Sequence, residues 1–289
     1  MARLSSGALD RLRATPVSAI VAGLAFLILY WEPAVSLVRD WWALPEAGHG
    51  LLLGPLAVVL AWRKGWADGS VARPRAALLI LAGAVLLRFV SGLAAELFTM
   101  RLSMFGAAAA LVVYARGVGQ LLHWWMPGVL LLLSVPLPAV LLNTLAFPLQ
   151  LQASRMGAAL LDARNVPVRL AGNIIHLPGQ SLFVTEACSG LRSLTALLSL
   201  GVLIGGLWLR QPWSRILLVL SAIPVAMALN ALRIFLTGFL VFYVAPEFGR
   251  GFMHYTEGWV LFVVAFAILG AAAWALWRAE AYARRGMGT

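Results

Sequence analysis

The chain has 289 residues, of which 62% are hydrophobic and 11% charged, where a soluble domain carries roughly a quarter. That balance excludes a water-soluble globular protein and implies an all-α polytopic membrane protein, because helices satisfy their own backbone groups in lipid. The net charge of +11 lies as short Arg-rich punctuation between apolar runs, which argues for topology signals rather than nucleic acid, and one cysteine excludes an intrachain disulfide framework or a Cys-based zinc site.

In chain order the apolar runs predict eight membrane spans, near 16–32, 48–62, 76–96, 102–115, 119–142, 188–209, 214–244 and 256–277. The first follows Arg3, Arg11 and Arg13 and imitates a signal peptide, with Ala34-Val35-Ser36 as a small-x-small site. An uncleaved first helix fits a multi-spanning chain better. The second and fourth runs are short for a span. With the N-terminus in the cytoplasm, Lys and Arg outside the spans favour the cytoplasmic side by thirteen to six. Arg88, Arg192 and Arg233 fall within spans, and both termini are expected inside. No repeat, low-complexity tract or linker interrupts the chain, so a single domain over residues 1–289 is expected.

Residues 143–187 read differently. Apolar positions there are interrupted by Gln150, Gln152, Arg155, Asp162 and Arg164, a pattern that suits an interfacial helix. Turn signals follow at Ala171-Gly172-Asn173 and Pro178-Gly179-Gln180, leaving room for three short extended segments. The expectation is an interfacial helix and a short β-hairpin-like outer segment before the sixth span.

That segment delivers the chain to Cys188, at the outer end of the sixth span. Arg233 lies 18 residues after Arg215, about 27 Å along a helix that starts inside, and so falls near the outer interface. His254 sits in the outer loop before the last span. Three groups from distant stretches thus arrive at one membrane depth. Each also has a bland reading: Cys188 as a small buried residue, Arg233 snorkelling to headgroups, His254 as a loop histidine. Together they describe cysteine-based acyl chemistry. A thiol in the first turn of a helix is more acidic than usual. An imidazole moves protons near neutral pH, and a guanidinium holds a developing oxyanion.

Helical spacing adds supporting candidates. Arg192 follows Cys188 by four residues, and Asn230 precedes Arg233 by three, so each pair shares a helix face. Glu186 favours a helix N-terminus, more simply than it serves chemistry. His49 and His176 are also on the outer side, and either competes with His254 as the base; His123 reads as structural or interfacial. The four histidines lack metal-ligand spacing, and there is no serine-hydrolase elbow and no P-loop. No cofactor or metal is expected.

With these residues in view, the sequence resembles the exosortase and archaeosortase family. The resemblance rests on "VTEACSGLRSL" at 184–194, "NALRI" at 230–234 and His254 followed by "EGW". "HGLLLGP" at 49–55 and "VPVRLAGNIIHLP" at 166–178 are similar too. It implies a membrane cysteine transpeptidase or peptidase acting on exported proteins that carry a C-terminal sorting signal. Such a signal is a Pro-Glu-Pro-like motif, a transmembrane helix and a basic tail. It implies Cys188 as nucleophile, Arg233 as transition-state stabiliser and His254 as acid/base, at the periplasmic face of a cell inner membrane. Two rivals stand beside it. A transporter or flippase subunit would use Arg88, Arg192 and Arg233 along a polar path, but the sequence lacks acidic residues deep in spans six to eight. A transferase of surface polysaccharide assembly would need a lipid-linked donor instead of a peptide.

Overall fold

The computed structural model describes residues 17–44, 46–184, 191–249 and 251–286. In chain order the elements are α1 (Val17–Ala43), α2 (Gly50–Lys64), α3 (Pro74–Leu93), α4 (Leu97–Arg116), α5 (Val118–His123), α6 (Trp125–Leu133) and α7 (Ala139–Asp162). Then come β1 (Arg169–Ala171), β2 (Ile174–Leu177), β3 (Gln180–Phe183), α8 (Leu191–Trp208), α9 (Pro212–Tyr243), a 3-10 turn (Pro246–Gly249) and α10 (Gly251–Gly286). The chain is mostly helical, as a polytopic membrane protein requires. Among the described residues, five helices are long and apolar enough to cross a membrane: α1, α3, α4, α9 and α10. Eight spans were expected; α2 has only 15 residues, and α8 counts among the shorter apolar helices.

The predicted fifth span, 119–142, is broken. Trp124 interrupts it between α5 and α6, and its indole N–H donates to the Gly65 carbonyl at 3.0 Å. A second break spans residues 134–138. Pro136 and Pro138 there have no N–H to continue a helix, and the Ser134 hydroxyl donates back to the Leu131 carbonyl. Hydropathy sees an unbroken apolar run here; the backbone donors decide otherwise.

The chain divides into two compact units. The first comprises residues 1–43 and 65–124, the second residues 44–64 and 125–289.

In the first unit α1, α3 and α4 pack through Tyr30, Leu37, Ala84, Met104 and Ala107. The predicted spans 76–96 and 102–115 put Arg101 in the loop between them. It lies instead within the 20-residue α4, 2% exposed, with its guanidinium donating to Asp40 of α1 at 2.6 Å and to the Ser36 hydroxyl at 3.2 Å. Pairing is what lets this charge enter a packed helix. Glu96 opens α4 by accepting from the backbone N–H groups of Phe98 and Thr99. Gly117 closes it at φ +85, where a Cβ would sit 1.8 Å from the Val71 carbonyl oxygen, so only glycine fits.

The second unit holds α2, α6 to α10 and the sheet. Leu53 and Ala57 of α2 pack on Met126 and Leu130 of α6 and Val202 of α8. Helices α8, α9 and α10 share a core that includes Leu197, Leu218, Ala222, Leu269 and Ala273. Helix α7 lies against α9 at close range because Gly157 faces Ile234 and Gly238 faces Leu161. At the other end of α9, the Glu280 carboxylate of α10 accepts the N–H groups of Arg210 and Gln211, at 3.1 and 3.0 Å. Glu280 is 3% exposed and caps the start of α9, whose first residue is proline.

The three strands form an antiparallel sheet in the order β1-β2-β3. Gly172 (φ +62) and Gly179 (φ +83) make the two turns. Ile175 and Leu177 point to the core that α7 and α9 share with the sheet, together with Ala158, Leu161, Ile234 and Val241. One face of the sheet is thereby anchored, and the other carries His176 exposed.

Candidate active site

Helix α9 runs antiparallel to both α8 and α10, so those two run parallel to each other. Gly201 and Gly205 of α8 meet Val219 and Arg215 of α9, while Glu280 of α10 meets Arg210 and Gln211. The N-termini of α8 and α10 and the C-terminal half of α9 therefore share one end of the unit. A cleft with about 340 Å³ of empty space, its open mouth included, lies between them towards that end. Ser193 and Leu197 line it from α8, Asn230 and Arg233 from α9, and Leu261, Phe262 and Ala265 from α10. Asn230 is 7% exposed and Arg233 half-buried, so the i, i+3 pair presents one polar edge to a cleft that is otherwise apolar or hydroxylic among the described residues. Asn230 also reaches a second cleft lined by Leu149, Ala153 and Met156 of α7 and Leu194 of α8.

Cys188 and Glu186 lie outside the described residues, as does the whole of 185–190. The residues on both sides of that segment are in place. Before it, Val184 is 3% exposed and shares a core with Ile234, the residue after Arg233. Val184 is held twice by Asn173: its N–H donates to the Asn173 carbonyl, and the Asn173 amide donates to its carbonyl, both at 3.0 Å. After it, Ser193 and Leu194 line the clefts that contain Asn230. The chain therefore enters and leaves 185–190 beside residues 230–234 of α9.

His254 belongs to the first turn of α10; its side chain lies outside the described atoms, as does that of Arg192 in the first turn of α8. His254 precedes Leu261, a cleft residue, by seven positions, about 10.5 Å along the helix axis. His49 precedes α2, and its Nε2 lies 3.1 Å from the Leu133 carbonyl at the end of α6. A carbonyl only accepts, so Nε2 carries the proton and this ring closes a helix. His176 is on β2 with Nδ1 2.8 Å from the Ser181 hydroxyl, and His123 ends α5 in the first unit. Arg88 is engaged within the first unit, donating to the Leu29 carbonyl at 3.4 Å and lying 3.7 Å from Glu32. Among the described residues, no group of three His, Cys, Asp or Glu side chains converges on a metal position.

Residues 41–271 match the family model for transmembrane exosortases. The chain belongs to the transmembrane exosortase family. The match runs from the end of α1 into α10 and takes in every candidate residue: His49, Glu186, Cys188, Arg192, Asn230, Arg233 and His254. No match was found among curated proteins or among solved structures. Within this exosortase-family chain, the sequence marks Asn173 only as a turn residue and does not mark Ser193 at all. Asn173 had a signal, an Asx residue at a turn, but its partner lies eleven residues on. Ser193 is one hydroxyl in an apolar helix, and only the neighbouring helices make it a cleft residue.

Proposed function

We propose that this exosortase-family protein is a membrane-embedded cysteine peptidase or transpeptidase that cleaves the C-terminal sorting signal of exported proteins. Cys188 supplies a thiolate that attacks the scissile carbonyl, and negative charge develops on the carbonyl oxygen, where Arg233 stabilises it. Collapse breaks the C–N bond, and His254 gives the leaving amine its proton. The thioester then passes its acyl group to an acceptor nucleophile or to water, which regenerates the thiol. Arg192, Asn230 and Glu186 would support this constellation, and the site would face the periplasm, where the motif of a translocated substrate waits beside its own membrane helix. The substrate signal is a Pro-Glu-Pro-like motif, a transmembrane helix and a basic tail, and the substrate helix would lie against the enzyme within the lipid.

The observation that carries this reading is the bracketing of 185–190: Val184 on one side and Ser193 with Leu194 on the other both pack at residues 230–234. The test is co-expression with a reporter bearing such a tail. Cys188→Ala and Cys188→Ser should remain in the membrane and leave the reporter uncut, and normal processing by Cys188→Ala would end the reading. His254→Ala should be severe and His49→Ala mild, in keeping with the bond from His49 to Leu133. A transporter would instead depend on the arginines and be indifferent to Cys188.

A further inference from the structure

One face of the β1-β2-β3 sheet is turned away from the core, and its residues fall into two rows. Register pairs Arg169 with His176 and His176 with Ser181, giving a polar row across all three strands. Two residues along, Ala171 pairs with Ile174 and Ile174 with Phe183, giving an apolar row whose Phe183 is 64% exposed. Arg169, His176 and Ser181 are all exposed. His176 Nδ1 lies 2.8 Å from the Ser181 hydroxyl, which leaves Nε2 facing away from the pair; Nε2 carries the ring proton whenever the hydroxyl is the donor. Arg169 has neither ion pair nor hydrogen bond among the described residues. The row thus offers a guanidinium and an imidazole side by side, with Cβ atoms about 5 Å apart, the arrangement that receives a carboxylate.

We propose that this face is the binding platform for an acidic segment of the peptide substrate. The two rows are about 6.7 Å apart along the strands, which is also the spacing of same-side residues i and i+2 in an extended chain. A peptide laid along the strand direction fits when it has a glutamate or aspartate facing Arg169 and His176 and an apolar residue two positions away, on Phe183 and Ile174. Position favours a substrate over other partners. Phe183 is five residues before Cys188, so the chain itself keeps the two within about 17 Å, and the sheet is fixed through Ile175 and Val184 to the core containing Ile234. The proposal rests on the processing reading for the identity of the peptide, not for its binding.

The test scores binding without turnover. Full-length protein carrying Cys188→Ala, in zwitterionic nanodiscs, is titrated into a fluorescein-labelled octapeptide with one glutamate and a leucine two residues later, and into its glutamine counterpart. The glutamate peptide should bind roughly tenfold or more tightly than the glutamine one. Arg169→Gln should erase most of that preference while leaving the glutamine peptide's affinity unchanged; Ser181→Ala should reduce it by several-fold, and Phe183→Ser should weaken both peptides alike. Equal affinity for the two peptides, or a preference that survives Arg169→Gln, overturns the proposal. An Arg169→Gln variant that leaves both peptides' affinities unchanged but weakens association with vesicles containing phosphatidylglycerol also overturns it, assigning the row to lipid headgroups. Because no cleavage is measured, selective binding alongside an unprocessed reporter would sink the processing reading alone, and processing without selective binding would sink only this one.

Discussion

Gly157→Ala adds one carbon at the crossing of α7 and α9 and tests whether that contact sets the position of the helix segment bearing Arg233. Its Cβ would stand 2.5 Å from Ile234 Cγ2 and 2.9 Å from Ile234 Cβ. Ile234 is β-branched and 5% exposed, so it has neither a second easy rotamer nor open space to move into. Overpacking of this kind costs about 1–3 kcal/mol. Against it stands the helix-propensity gain of alanine over glycine, about 1 kcal/mol. Gly83→Ala in α3 supplies the comparison, since nothing lies within 4 Å of its Cβ and only the propensity gain should remain. The two variants should therefore differ by about 1–3 kcal/mol, with Gly157→Ala the less stable. At 2–4 °C per kcal/mol, roughly the scale for a chain of this size, thermal unfolding in detergent resolves that difference. Reporter processing should fall with Gly157→Ala and hold with Gly83→Ala. If Gly157→Ala proves as stable as Gly83→Ala, α7 and α9 are not in register at Ile234, and the argument that fixes the approach to Arg233 fails with it.

Two further expectations concern the first unit. Asp40→Ala strands the Arg101 charge, 2% exposed, with the Ser36 hydroxyl as its remaining side-chain acceptor, and should cost about 3–5 kcal/mol in unfolding experiments. The double variant Asp40→Ala with Arg101→Met should recover much of that loss, and a harmless single variant would contradict the pairing. Glu96 should make stability depend on pH. Burial raises its pKa, but the Thr99 hydroxyl, the N–H groups of Thr99 and Phe98 and the nearby Arg101 charge lower it by more, so its net shift is downward. A carboxylate depressed in the folded state contributes stability above its unfolded value of about 4.3 and loses it as pH falls through the folded value. Melting followed from pH 7 to pH 3 should thus show a steeper acid-side decline for the native chain than for Glu96→Gln, and parallel curves would count against the cap.

Much of the architecture is legible because hydropathy and turn chemistry act locally. The five long apolar helices, the glycine turns at 172 and 179 and the shared face of Asn230 and Arg233 follow from residues within a few positions of one another. Arg101 was misread because its partner Asp40 is 61 residues away, and an isolated guanidinium in an apolar run reads as a loop. The break at 134–138 was missed for the opposite reason: Leu and Val dominate the hydropathy there, while the two prolines that lack a donor barely alter it. His49 shows how far composition carries. The sequence puts an imidazole on the outer side, but only the fold reveals the Leu133 carbonyl in front of it.

The carboxylate of Glu280 has a practical consequence for anyone mapping this protein's topology. Enzymatic tags fused to successively shortened chains presume that each remaining piece sits as it does in the whole. Any chain ending between residues 212 and 279 would begin α9 with the N–H groups of Arg210 and Gln211 deprived of their acceptor. Such fusions would report the insertion of a different object, so tags inserted into loops of the intact chain are the trustworthy route.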